Sequence, residues 1–283
     1  MTRFVGTEGS TTEVDLTLHH LRQVLEGDGL TGRLDRAALD IASIHFPALE
    51  PQPFLDQLND IASRLGDRLR NFNDGREFVE KAQQFLFDDL GFHGNDQHFF
   101  DPLNSCLNQV LERRTGIPIT LSVLYMEISR RLQMPVFGIG LPRHFVIQFD
   151  DGNYSTYIDP YGGRLITPAE CFALAGARQA DPSLLRRVTK KQIVIRMLQN
   201  LHITYAEARD FPHALQTLDL MILGAPDMAS WYRRRATLLM EDHRYREARA
   251  DFQRYLDMEP DAEDRAEVVK QMEKIHLWLA RVN

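Results

Sequence analysis

An α+β domain followed by an all-α array of helical repeats is the fold class this sequence predicts, on three observations. Between positions 104 and 163 the hydrophobic spacing changes from helical to alternating. Within that stretch the turn cluster Asp150-Asp151-Gly152-Asn153 separates two β-rich runs. Beyond about 192 the apolar pattern stays helical and repeats at an interval of 34 positions. The chain has 283 residues, 43% hydrophobic and 26% charged, which suits two domains with a filled core and argues against disorder.

Taken in order, residues 1–11 are polar and predict a loose leader. Leu16, Leu18, Leu21, Val24 and Leu25 predict a first helix, which Gly27 and Gly29 end. Leu34, Ala38, Leu39, Ala42 and Ile44 predict a second, closed before Pro47. Pro51 and Pro53 open a third, whose apolar face runs from Phe54 to Leu65. Phe78 to Leu90 reads as one further amphipathic helix, and the turn-rich GFHGNDQHFFDPLN after it should cover the helices that follow. Asn104 or Ser105 is the expected cap of a helix carrying Leu107, Val110 and Leu111, with Arg113 and Arg114 favourably placed at its C-terminal end. Pro118 suits the first turn of the next helix, because it has no N–H to leave unpaired and its φ is already helical. Leu121, Leu124, Tyr125, Ile128 and Leu132 make that helix a core element.

After Pro135, Val136 to Gly140 begins a strand, Pro142 interrupts it, and His144 to Phe149 resumes it; Tyr154 to Ile158 returns after the turn. His144 and Asp159 then sit at matching ends of a hairpin, where they can meet. A helical segment follows from about Pro168 to Ala177. Arg186, Arg187, Lys190, Lys191 and Arg196 form a basic approach to the second domain, read as polar surface, with a site for an acidic peptide, phosphate or nucleic acid as the alternative. In the second domain Tyr245, Ala248, Phe252, Pro260 and Asp261 answer Phe211, Ala214, Leu218, Pro226 and Asp227. Small residues at helix crossings and a Pro-Asp turn between units are the logic of stacked helical hairpins. A terminal helix with Val268, Met272, Ile275 and Leu279 closes the pattern.

Several function classes are disfavoured. A net charge of -7 gives no general attraction to nucleic acid or anionic lipid. The beginning of the chain lacks a signal-peptide pattern and no apolar run approaches ~18 residues, so the expected location is the cytoplasm, with no membrane partner. Cys106 and Cys171 are the only cysteines and predict free structural thiols. His93, His98 and His144 lack metal-ligand spacing, no Gly-rich nucleotide loop follows a strand, and Asp159 has no carboxylate cluster around it; neither metal nor cofactor is expected. Ser122, one turn inside the core helix, reads as a backbone-bonded or packed serine.

The repeat resembles a pair of tetratricopeptide repeats, with Arg235 and His243 where that pattern usually has Leu and Gly. Upstream, NSCLNQVLERR, GIPITLSVLYMEISRRL and the pair LPRHFVI and YIDPYGG resemble the SirB1 family, whose N-terminal part is related to the transglutaminase-like fold. The resemblance implies a transglutaminase-like core of the papain-like superfamily with N-terminal helices over 12–180, then a tetratricopeptide-like repeat domain over 190–283. In that pattern Gly116 fits the Gly of the nucleophile motif, Arg130 or Arg131 and Pro135 fit the end of the buried helix, and His144 and Asp159 fit the polar pair. Pro118 occupies the nucleophile position, and a base without a nucleophile cannot carry covalent acyl transfer.

The expected function is therefore a non-catalytic interaction or regulatory scaffold. Arg143, His144, Tyr157, Asp159 and Tyr161 would line its cleft, and a protein or peptide partner would bind through the repeats. The alternative is a cysteine-dependent peptidase or amidase. There Cys106, near the start of its helix, would be the nucleophile, His144 its base and Asp159 the orienting group. The oligomeric state is not legible in the sequence.

Overall fold

The computed structural model describes residues 18–28 and 32–282, so the expected leader and the start of the first helix lie outside the described residues. These residues form two compact units divided between Met197 and Leu198.

The first unit begins with helices α1 (His19–Glu26), α2 (Leu34–His45) and α3 (Gln52–Gly66). Leu21, Val24 and Leu25 of α1 are buried where it packs on α2. The Asp40 carboxylate of α2 accepts the Leu21 N–H at 2.8 Å, satisfying one of the donors that a helix start leaves over. α4 (Gly75–Gln83) is capped by Asp74, whose side chain accepts the Glu77 N–H at 3.0 Å. Where one α-helix was expected to continue to Leu90, residues Gln84–Asp89 form a wide π turn, and the Leu90 N–H reaches the Phe85 carbonyl five residues back.

Helices α5 (Leu107–Arg113) and α6 (Pro118–Arg131) form the centre of this unit. Neither Asn104 nor Ser105 caps α5. A 3-10 turn over Pro102–Ser105 delays the helix, so Cys106 takes the capping position without a side-chain cap bond. The buried Asn104 amide instead donates to the carbonyls of His98 and Phe99 at 2.7 and 3.2 Å. Pro118 opens α6 as expected, and Leu121, Leu124, Tyr125 and Ile128 are buried.

At its other end α6 is fixed to α2. The fully buried Asp35 carboxylate lies 2.6 Å from Arg131 and 3.4 Å from Arg130, and it also holds Arg33. Burial pushes its pKa upward, but hydrogen bonds from Arg33 and Arg131 outweigh that and hold it below the ordinary carboxylate range.

Four antiparallel strands follow in sequence order: β3 (Val136–Leu141), β4 (His144–Asp150), β5 (Ser155–Asp159) and β6 (Arg164–Ile166). The interruption at Pro142 is a tight hairpin, in which Leu141 pairs with His144 across Pro142 and Arg143. β6 is an addition to the expected pair of strands; of its three residues only Ile166 is buried, which leaves no alternation to read. Helix α7 (Pro168–Leu174) starts with a Thr167–Glu170 capping box. Its Cys171 joins Ile139, Leu141, Val146 and Ile166 in one buried cluster. Two short strands, β1 (His93–Gly94) and β2 (Thr115–Gly116), pair in parallel ahead of α6.

The second unit is helical. The division falls inside α8 (Lys190–Glu207), and α9 (Phe211–Gly224), α10 (Ala229–Glu241), α11 (Tyr245–Met258) and α12 (Arg265–Val282) follow. From α9 on, each helix packs on the next. Ala214, Ala236 and Ala248 are fully buried, as the repeat spacing requires of residues at helix crossings. Arg235 is accommodated by carboxylates on both sides. It donates to Asp251 at 2.6 and 2.8 Å and to Asp219 at 2.7 Å.

Candidate functional site

Strand register brings the polar pair together. Ile147 pairs with Ile158, so Asp159 lies one step further along β5, on the face that Val146 and His144 share by alternation. His144 Nε2 and Asp159 Oδ1 are 3.0 Å apart. Asp159 is 4% exposed, and its Oδ1 also accepts the Tyr161 N–H at 3.2 Å. The imidazole is thus oriented by a buried carboxylate that is itself held by backbone.

Tyr161 links this pair to the entrance of α6. Its ring meets the His144 ring edge to face at 6.1 Å, and Phe99 stands on it at 6.2 Å. Its hydroxyl donates to Asp96 at 2.7 Å, and burial together with that carboxylate raises its pKa. The Tyr161 carbonyl accepts the Gly94 N–H, and a Cβ at Gly94 would run into the tyrosine ring, so only glycine fits there. Gly94 pairs with Gly116, two residues before Pro118. Asn95 donates to Asn104, and the Asn104 carbonyl receives the Thr120 hydroxyl at 2.7 Å, tying this loop to the first turn of α6. The exposed Phe99 and Phe100 form the rim. The residues around 95–104, read only as a cover in the sequence, therefore adjoin the His144–Asp159 pair through Tyr161; the aromatic pair within a turn-rich run was the available signal.

Tyr157, two residues before Asp159 on β5, lies on the same face of the sheet. It packs against the Cys171 cluster, and burial raises its pKa. Arg143 is exposed at the hairpin tip. Ser122 is fully buried and packed, and its hydroxyl makes no hydrogen bond among the described residues. The Cys106 thiol is fully buried and donates to the Pro102 carbonyl, with sulfur and oxygen 3.5 Å apart. Burial, with the Asp101 charge adding to it, pushes its pKa up to about 12; burial likewise pushes Cys171 up to about 11. A thiol in that state holds almost no thiolate near neutrality. No group of three or more His, Cys, Asp or Glu side chains among the described residues is arranged to hold a metal. No helix among them is long and apolar enough to cross a membrane.

In the second unit a groove between α11 and α12 is lined by Arg249, Leu256, Met272, His276 and Leu277. Leu277 and Trp278 are exposed along α12.

A sheet with an oriented His–Asp pair beside the N-terminus of a buried helix, joined to paired helices, defines a class. Residues 52–199 match the transglutaminase-like superfamily and residues 201–273 the tetratricopeptide repeat. The chain belongs to the transglutaminase-like superfamily, with tetratricopeptide repeats after that domain, and the family resemblance read from the sequence holds. A UPF0162 protein of Xylella fastidiosa is 30% identical over 242 residues, 82% of this chain and 86% of that protein. Human F-box only protein 21 is 34% identical over 163 residues, 53% of this chain but 26% of that protein, so the likeness spans about a quarter of its length. A crystal structure of menin, described as revealing the binding site for Mixed Lineage Leukemia protein, covers 93% of this chain and 74% of its own. Its TM-score of 0.44 and identity of 14% are too low to carry an argument. The pairing of a transglutaminase-like domain with tetratricopeptide repeats suggests a protein-interaction scaffold.

Proposed function

We propose that this protein is a non-catalytic scaffold in which the cleft around His144 and the grooves of the repeats hold protein or peptide partners. The observation that carries this reading is Pro118 at the first turn of α6, where the superfamily resemblance puts the nucleophile. Proline supplies neither a nucleophilic side chain nor an N–H, so the oriented His144–Asp159 pair has nothing there to activate. In this reading the domains over 12–180 and 190–283 both contribute binding surface, and the protein works in the cytoplasm. The exposed Phe99 and Phe100, reached from His144 through Tyr161, and the α11–α12 groove are the apolar features that a partner would use.

A cysteine-dependent peptidase using Cys106, His144 and Asp159 is the second reading, and the 3.0 Å His144–Asp159 contact is the observation in its favour. Against it stand the burial of Cys106 and its bond to Pro102. Iodoacetamide at neutral pH separates the two. The scaffold reading expects Cys106 to stay unmodified in the folded protein, equally in wild type and in His144→Ala. Rapid labelling of Cys106 that His144→Ala abolishes would sink it. A second arm compares partner capture by wild type and by Leu277→Asp; capture that is specific and lost in the variant supports the scaffold, and no reproducible partner at micromolar concentration counts against it.

A further inference from the structure

We propose that the β3–β4 turn is the centre of an anion-binding site that receives the carboxylates of an acidic peptide, an inference that rests on the reading of this half as a peptide-binding cleft. Among the described residues, five that are not glycine have positive φ. Arg114, Gln133, Arg209 and His243 directly follow helices, where a left-handed residue is the ordinary way to stop. Arg143, at φ 59°, is the one in a hairpin. Glycine or asparagine meets that demand without strain, and a long cationic side chain in such a position points to a use for the side chain.

Its guanidinium lies over the end of α7. Nη2 lies against Gly176, just past α7, so closely that a Cβ there would sit 3.1 Å away. Yet Arg143 has no hydrogen bond and no ion pair among the described residues.

A second guanidinium borders the same turn. Arg196 donates through Nη2 to the carbonyl of Leu141, the residue that opens the turn, at 3.4 Å. It is half-buried, with no carboxylate beside it, and burial alone lowers its pKa. One long bond leaves most of its donors without a partner. Arg178, two residues beyond Gly176, is exposed and also makes no ion pair.

Two other arginines of this unit behave differently. Arg164 is held by Glu170 at 2.6 Å, and Arg187 by Asp150 and the ring of Phe137. The buried Asp159, which pairs with the residue that closes this turn, is engaged by His144 and the Tyr161 N–H.

With 40 acidic residues to 33 basic ones, the chain has acid to spare, yet it leaves these three cations without it. That is charge complementarity to an anionic ligand, and planar guanidinium forks match carboxylates. A net charge of -7 repels the extended polyanion of a nucleic acid or an anionic membrane, whereas a short acidic peptide presents only local charge.

The test is fluorescence anisotropy on the full chain with a labelled oligoglutamate peptide, an oligoglutamine peptide of equal length, and inorganic phosphate as competitor. Oligoglutamate is expected to bind about tenfold more tightly than oligoglutamine. Arg143→Gly should weaken it about fivefold while raising the thermal midpoint, since glycine accepts the left-handed backbone. Loss of affinity together with gained stability excludes misfolding as the cause. Arg196→Gln should weaken binding as well, and Lys270→Gln in the repeat unit should not. Equal binding of the two peptides, or undiminished binding by Arg143→Gly, overturns the site. Phosphate that displaces the peptide at equal concentration makes this a simple oxyanion site and overturns its assignment to peptides. Partner capture that Leu277→Asp abolishes, alongside oligoglutamate binding untouched by Arg143→Gly, removes this site and leaves the scaffold reading standing.

Discussion

At the scale of single residues, His243 and Asp40 each hold a state that a different residue would hold at lower cost. His243 sits where the repeat pattern has glycine, and its φ of 61° explains that preference. Its ring reaches the Tyr245 hydroxyl at 3.0 Å, which offsets part of the strain. Left-handed backbone costs a non-glycine residue about 1 kcal/mol, more than an exposed hydrogen bond returns. His243→Gly should therefore stabilise the repeat unit by about 0.5 kcal/mol, seen as a small rise in its melting midpoint. Asp40 is buried, and burial raises its pKa from 3.8 to about 6, although the amides of Leu21 and His20 favour the charged form. A raised carboxyl pKa means that the folded state holds the proton more tightly. The resulting stabilisation is present in full below about pH 4 and is lost as pH climbs through about 6. Asp40→Asn keeps an acceptor for the Leu21 N–H but cannot titrate. The stability of wild type relative to this variant should fall by on the order of 2 kcal/mol between pH 4 and pH 7, measured by urea denaturation. A flat difference would mean that Asp40 titrates normally.

Elements were legible to the extent that one local pattern formed them. The α6 core face, the β4–β5 hairpin and the repeat spacing all show in the sequence, because a 3.6- or 2-residue period reports burial directly. Register did the same for His144 and Asp159. The caps expected at Asn104 and Ser105 failed because the Pro102–Ser105 turn consumed those residues first. β6 and the β1–β2 pairing escaped notice because two- and three-residue strands carry no period, and parallel partners from 93 and 115 meet only through the tertiary fold. Arg235 shows how a departure from pattern is absorbed between elements. It stands on α10 in place of leucine and is matched by Asp219 on α9 and Asp251 on α11. Asp251 is 7% exposed, so Arg235→Leu alone should strand a buried charge and cost about 3 kcal/mol. Adding Asp251→Leu should recover most of that loss, with a coupling energy above about 1.5 kcal/mol in a double-mutant cycle. Additive losses would make the pair incidental.

For the molecule as a whole, the meeting of His144 and Asp159 was legible in the sequence and the surroundings of the pair were not. The loop with Phe99 meets Tyr161, and through it His144, by way of Gly94 and Asn104, whose contacts leave no mark in composition. The burial of Cys106 likewise depended on how its helix packs, which spacing alone did not decide. The ion cluster on α2 carries a further implication for where a working fragment can start. The superfamily match begins at residue 52, but Asp35, which neutralises Arg130 and Arg131, and the apolar side of α2 that includes Leu39 and Ile41 both precede it. A clone trimmed to 52–283 would strip the tail of α6 of one of its two carboxylates, leaving Glu127 alone against Arg130 and Arg131, and uncover a greasy surface meant for a neighbour. Such a clone should express as aggregate, whereas one starting at residue 18 should stay monodisperse by size-exclusion chromatography.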